Sequence, residues 1–304
     1  MSDKQPLLLV IGGPTGSGKT AMAVRLAEAM GTSVISADSR QVYKALKIGS
    51  AAPSDEELAS VPHYFVGSLE IGEPFSAGIF ATQASQLLTE KLFVKNPVQI
   101  VCGGSGLYIH ALLNPFDVLP EVPQTVRKAL IEQFETNGIE VLKDELRQLD
   151  PDYFNKVDQN NPQRLIRALE LIKSSGKTYS SMLGQSNNSL PYRVCYLAID
   201  LPREKLYHQI NERVHRMIAS GWIEEARALI PNRTINALQT VGYKELFEYF
   251  DGKRNLDATI ELISQNTRRF AKRQLTWLRN KENVRWISPD TATEELMKLI
   301  LTNK

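Results

Sequence analysis

The chain has 304 residues, 42% of them hydrophobic, with a formal net charge of +2. That length and composition describe an ordinary globular protein with one large domain or two smaller ones. The near-neutral charge leaves nucleic acid open as a partner, because binding depends on where charge sits rather than on its sum.

The first apolar run, Leu7 to Ile11, is too short for a signal-peptide core. No stretch approaches the ~18 apolar residues of a membrane span. Cys102 and Cys195 lie in separate apolar runs and read as buried free thiols in a reducing, cytoplasmic setting. No zinc-ligand spacing is present.

In chain order, Leu7 to Ile11 predicts a buried strand running directly into Gly13, Pro14, Thr15, Gly16, Ser17, Gly18, Lys19 and Thr20. A strand ending in Gly-x-x-x-x-Gly-Lys-Thr is the signature of a loop that grips a di- or triphosphate. Its glycines let backbone amides converge on phosphate oxygens, Lys19 supplies a point charge, and the Thr20 hydroxyl can hold Mg²⁺. The helix predicted from Lys19 to Met30 aims its positive end at the same place.

Val34 to Ala37 predicts a second strand, ending at Asp38. A carboxylate there faces the crevice outside the strand C-termini and can serve as a base, a magnesium partner or a helix cap. Helical periodicity covers Ala77 to Leu92, followed by the strand Val98 to Cys102. In an ordinary ATPase the strand supplying the second metal-organising carboxylate ends in Asp, whereas this one continues as Cys102-Gly-Gly-Ser-Gly106. A motor or switch NTPase is therefore disfavoured against a transferase.

Strand character then disappears from Asn114 to Ser186, where Thr125 to Thr136, Ile139 to Leu149 and Pro162 to Ser174 predict helices between turn-rich flanks. It resumes at Val194 to Ile199, and helices dominate beyond Arg203. These elements predict an α/β fold, a P-loop NTPase-like three-layer core with a parallel sheet, formed by residues 1–113 and 187–304, with residues 114–186 as a helical insertion domain. Between Ser264 and Lys281 lie six basic residues and no acid. This run, with Lys272 and Arg273, suits a solvated helix face or a nucleic-acid surface.

The motifs Gly13-Pro-Thr-Gly-Ser-Gly-Lys-Thr20, Asp38-Ser-Arg-Gln-Val-Tyr43, Gly103-Gly-Ser-Gly-Leu-Tyr108, Asn161-Pro-Gln-Arg-Leu-Ile-Arg-Ala-Leu-Glu170, Val241-Gly-Tyr243 and Lys272-Arg-Gln-Leu-Thr-Trp-Leu-Arg279 occur in that order. Together they resemble the bacterial tRNA dimethylallyltransferases, from about Leu7 to Trp286. The resemblance implies transfer of a dimethylallyl group from its diphosphate to the exocyclic amine of the adenine 3′ of the anticodon. The phosphate loop would then grip dimethylallyl diphosphate, with Mg²⁺ as cofactor and tRNA as partner.

By the same resemblance, Asp38 is the base, Thr15 lies near the leaving group, and Lys19 and Arg213 neutralise the diphosphate. Contacts to tRNA are implied for Asp38, Ser39, Arg40, Gln41, Ser105, Arg127 and Gln163, Arg164, Leu165, Ile166, Arg167. Lys272 and Arg273 join them from the basic run. Arg164 and Arg167 share a helix face opposite Leu165, Leu169 and Ile172, which equally suits an ion-pair network with Glu170. The chain departs from the family pattern at Ala52, where a lysine is usual, at Pro62-His63, where two histidines are usual, and at Ser105, which keeps a hydroxyl in place of threonine. An adenine-nucleotide isopentenyltransferase and a P-loop small-molecule kinase are the alternative activities.

Overall fold

Strand β1 (Leu7–Gly12) is buried along its whole length, because it forms the middle of a parallel sheet with partners on both sides. The computed structural model describes residues 5–114, 117, 119–184 and 189–301. Of the turn-rich flanks expected around the insertion, Pro115, Phe116, Val118 and Gln185 to Asn188 lie outside them. The chain divides into two compact units, Met1–Asn114 with Leu190–Lys304, and Pro115–Ser189.

In the first unit β1 is followed by α1 (Lys19–Met30), β2 (Val34–Ser36), α2 (Asp55–Ser60), β3 (His63–Tyr64) and α3 (Ala77–Leu87). A π-turn at Leu88–Leu92 and the single turn α4 (Phe93–Lys95) lead to β4 (Val98–Cys102) and α5 (Gly106–Leu113). The sheet order is β3-β2-β4-β1-β5-β6, all parallel, with β5 spanning Arg193–Ile199 and β6 Val284–Ile287.

The period-2 geometry of β1 sends Leu8 and Val10 to one face, where they meet Phe80 and Ala84 of α3 and Ile109 and Leu112 of α5. Leu7, Leu9 and Ile11 go to the other, against Met22 and Leu26 of α1 and Leu296 and Ile300 near the C-terminus. Each such side chain contributes roughly 1.5–3 kcal/mol on burial. Registers Ile11↔Cys102 and Gly12↔Ala198 bring the strand C-termini to one end, where the loops carry the chemistry.

The second unit holds α6 (Gln124–Asn137), α7 (Ile139–Leu149), α8 (Pro151–Phe154), α9 (Pro162–Ser175) and α10 (Tyr179–Met182). Its core interleaves Leu130, Leu142, Leu146, Leu165 and Leu169. Asp150, 1% exposed, ties α8 to α10 by accepting from the amides of Tyr153 (3.0 Å) and Ser180 (2.7 Å).

Back in the first unit, α11 (Arg203–Ala219), α12 (Trp222–Ala228), α13 (Tyr243–Phe250) and the long α14 (Leu256–Arg279) follow β5, and α15 (Thr293–Leu301) follows β6. Trp222, Leu238, Tyr243, Leu246 and Ile263 join Val42 and Leu46 in a separate core beside the sheet's C-terminal end.

Candidate active site

The phosphate loop is built from backbone rather than side chains. Gly13, Gly16 and Gly18 have φ of +150°, +79° and +88°, and a Cβ on Gly13 would lie 2.8 Å from Ser17 Oγ. Gly18 caps α1 without a side-chain bond, and the first turn carries no acid, so the positive end of α1 is uncompensated. The Thr15 amide donates to Gln274 Oε1 (2.8 Å) and the Ser17 amide to Pro14 O (3.3 Å). The amides of Gly16, Gly18, Lys19 and Thr20 have no protein acceptor among the described residues, which suits an anion.

Pro14, expected among the diphosphate ligands, has no N–H to give. Its carbonyl instead accepts from Lys19 Nζ (2.7 Å). Ser17 is turned inward, 1% exposed, with Oγ unpartnered among the described residues. Its hydroxyl packs under the loop instead of lining the cavity.

Above this loop lies a cavity of about 230 Å³ lined by Thr15, Lys19, Thr20, Asp38, Ser39, Arg40, Gln41, Ser105 and Arg213. Ile210, Val214, Met217, Trp222, Val241 and Phe270 give the same cavity an apolar wall. Burial pushes the Lys19 ammonium down to about 8, with nearby Arg213 adding to the shift and Cys102 and Asp38 opposing it. Burial likewise lowers Arg213, again against Asp38. Burial pushes the Cys102 thiol up to about 12, so it faces the cavity as a neutral group.

Asp38 Oδ1 accepts from the amides of Arg40 (2.9 Å) and Gln41 (3.3 Å), a turn that fixes the carboxylate. Oδ2 accepts no bond among the described residues. Ser105 Oγ accepts from the Ser39 amide (3.1 Å). The Gln41 side chain is consumed internally, accepting from Ser36 Oγ (2.8 Å) and donating to Ala51 O (2.9 Å). It shapes the cavity wall and holds Ala51 at a left-handed φ of 47°. Arg40 reaches Ser39 O (3.1 Å) and Asn236 O (3.3 Å).

Below the wall, Glu225 accepts from the amides of Ile48 (2.7 Å) and Gly49 (2.9 Å) and from Tyr243 Oη (2.6 Å). Burial, reinforced by Glu225, raises the Tyr243 hydroxyl above its ordinary range.

The expected RNA contacts divide. Lys272 and Arg273 are exposed on α14, and the Arg273 guanidinium sits 5.6 Å from the Phe270 ring. In the second unit Gln163 and Arg164 are exposed, and Arg164 has no ion pair among the described residues. Arg127 and Arg167 both donate to Glu170, which is 1% exposed, at 3.0 and 2.6 Å. The side chains of Leu165 and Ile166, expected at the RNA, are instead buried at 0% and 5% exposure. They occupy the apolar stripe of α9 that builds the core.

Gln274 and the apolar wall are the site residues that sequence reasoning missed. A signal was available. Ala271, Gln274 and Leu278 form one buried stripe on α14, and a glutamine at a core position needs polar partners.

A family model described as IPP transferase matches residues 41–281. Among curated relatives, tRNA dimethylallyltransferase 1 of Bacteroides thetaiotaomicron is 43% identical, covering 98% of this chain and 96% of its own. The tRNA dimethylallyltransferase of Cytophaga hutchinsonii is 45% identical, covering 97% and 96%. The solved structure of a full-length tRNA isopentenylpyrophosphate transferase from Bacillus halodurans superposes with a TM-score of 0.70 at 35% identity, covering 98% of this chain and 95% of that one. With the phosphate loop, Asp38 and the apolar wall around one cavity, the chain belongs to the IPP transferase family.

Proposed function

We propose that this protein transfers a dimethylallyl group from dimethylallyl diphosphate to the N6 amine of the adenine 3′ of the anticodon in tRNA. The observation that carries the reading is one cavity that combines an anion-gripping loop, an apolar wall and a carboxylate with a free oxygen. The strand end that would carry a metal-organising acid in an ATPase is Cys102 instead.

The free amides of the loop hold the diphosphate, while Lys19, Arg213 and the Thr15 hydroxyl offset the charge that grows on its bridging oxygen. The five-carbon group lies against Ile210, Met217 and Phe270. Adenine N6 attacks the allylic C1, the C1–O bond breaks, and its electron pair leaves on diphosphate. Attack by an amine whose lone pair is delocalised into the ring is assisted by transfer of its proton to Asp38 Oδ2.

The Thr20 hydroxyl supplies a hard oxygen donor on this cavity, and no cluster of three or more His, Cys, Asp or Glu forms among the described residues. That donor set fits Mg²⁺ held mainly by substrate phosphate and water, where it would neutralise the leaving group. The adenine must be flipped from its stack to reach the cavity. The helical unit, with exposed Gln163 and Arg164, offers a polar surface for the anticodon stem-loop, and in the first unit the exposed Lys272 and Arg273 of α14 offer charges for RNA phosphates. No helix among the described residues is long and apolar enough to cross a membrane.

The test offers undermodified tRNA and AMP as acceptors, and labelled dimethylallyl diphosphate and labelled ATP as donors. Prenyl label retained with tRNA on a filter is the expected outcome. Label on AMP alone, or phosphate transfer from ATP, would establish one of the alternative activities.

A further inference from the structure

The two halves of the reaction sit on loops from different strands. Thr15, beside the leaving group, follows β1, while Asp38 follows β2. Between them runs the turn Gly103 to Gly106 after β4, which touches both. A Cβ on Gly103 would lie 2.1 Å from Ala37 O, and Ser105 Oγ takes the Ser39 amide. On the phosphate-loop side, one side chain spans the gap. Gln274 Oε1 accepts from the Thr15 amide (2.8 Å), and Gln274 Nε2 donates to Gly104 O (2.8 Å).

That amide is 9% exposed and comes from α14, 259 residues beyond Thr15 and 170 beyond Gly104. Space has been cleared for it, since a Cβ on Gly104 would lie 2.5 Å from Nε2. One turn further along α14, the Trp277 ring would lie 2.6 Å from a Cβ on Gly106, so two points of the helix seat the same turn.

We infer that Gln274 is a positioning residue that sets the distance between the leaving-group loop and the base-bearing turn, through Thr15 on one side and Gly104, Ser105 and Ser39 on the other. Gln274 lines the cavity edge, yet its amide is spent on the protein. It acts through Thr15 and Asp38 and rests on the prenyl-transfer reading above. Loss of a clamp that aligns two reacting partners costs up to ~100-fold in the chemical step while leaving ground-state binding nearly intact.

Gln274→Glu and Gln274→Met separate the clamp from simple packing. Ionised glutamate still accepts from the Thr15 amide but opposes Gly104 O, while the protonated acid restores both bonds. Methionine fills the space and makes neither. Lys19, 3.8 Å from a Cβ on Gly104, and Asp38 and Arg213 on the same cavity are common to all three proteins, so rates are compared with wild type at each pH.

Single-turnover rate, KM for dimethylallyl diphosphate, melting temperature and hydrogen exchange at the Thr15 amide are measured together. The expected result is a ~10- to 100-fold lower rate for both variants at neutral pH, with KM little changed and faster Thr15 exchange. As pH falls through the carboxyl range, Gln274→Glu should climb above Gln274→Met. If Gln274→Met fails to fold, the pH-dependent recovery of Gln274→Glu decides alone. Wild-type rates in both variants, or a Gln274→Glu deficit that does not shrink on acidification, would overturn the inference. A wild-type protein that transfers no prenyl group would instead overturn the proposed activity, and Thr15 exchange in the variants would then decide the clamp by itself.

Discussion

Raising the pH should weaken binding of the donor through one side chain, Lys19. Burial holds this ammonium at about 8 instead of 10.5, and the effect follows with a fixed sign. A bound diphosphate favours the charged form and returns the group toward its ordinary value. The complex therefore holds a proton that the free protein has lost between the two values, and affinity falls as pH rises through that window.

At pH 9 only about one molecule in eleven still carries the charge, so binding drops ~10-fold per pH unit above 8. The full interval between about 8 and 10.5 corresponds to ~300-fold, or ~3 kcal/mol. The last ionisation of an alkyl diphosphate lies near ~6, as for other phosphate esters, and does not intrude. Calorimetric titration of an unreactive dimethylallyl diphosphate analogue across this range measures the slope. Lys19→Arg keeps its charge throughout and should give a flat profile, whatever its absolute affinity. A flat wild-type profile, or an equal fall in Lys19→Arg, would refute the reasoning.

Asp38→Asn keeps an oxygen for the Arg40 and Gln41 amides but loses basicity, so single-turnover rate should fall ~10² to 10⁴ with an unchanged melting curve. Added Mg²⁺ should not rescue it. Arg164→Ala should lower the salt slope of tRNA binding by about one without loss of stability. Arg167→Ala removes a partner of the buried Glu170 and should cost ~1 kcal/mol in denaturant titration as well. Ala51→Gly should raise stability by about 0.5–1 kcal/mol, because relief of the left-handed φ outweighs the added freedom of the unfolded chain.

The elements readable from sequence were those whose burial is uniform. Leu7 to Ile11 is a continuous apolar run and Val98 to Cys102 is broken only by the buried Gln99; both lie between turn signals and form the sheet centre. Strand β6 was not read, since its exposed Arg285 and Trp286 break the run at the sheet edge. Strand β3, two residues long, carries no periodicity at all. The helix expected over Ala77 to Leu92 passes into a π-turn at Leu88, a change of hydrogen-bond register that leaves apolar spacing almost intact.

At the site, backbone motifs were legible because the Gly-x-x-x-x-Gly-Lys-Thr spacing itself prescribes loop geometry. Long-range side-chain roles were hidden. Gln41 lies in a quoted motif, yet only the fold shows that its amide is spent on Ser36 and Ala51.

The strand order also dictates when the machinery can exist. During synthesis β1 gains β4 on one flank early, but its other flank stays an open edge until Ile199 has emerged, an invitation to mispairing. The helical unit, built from neighbouring segments, can collapse on its own meanwhile. Thr15 then waits for α14, whose Gln274 emerges 259 residues later. A chain arrested before Leu256 would carry every residue of the phosphate loop and still lack both Gln274 and the Phe270 side of the cavity wall, so unfinished products would hold an incomplete site and be prone to aggregate.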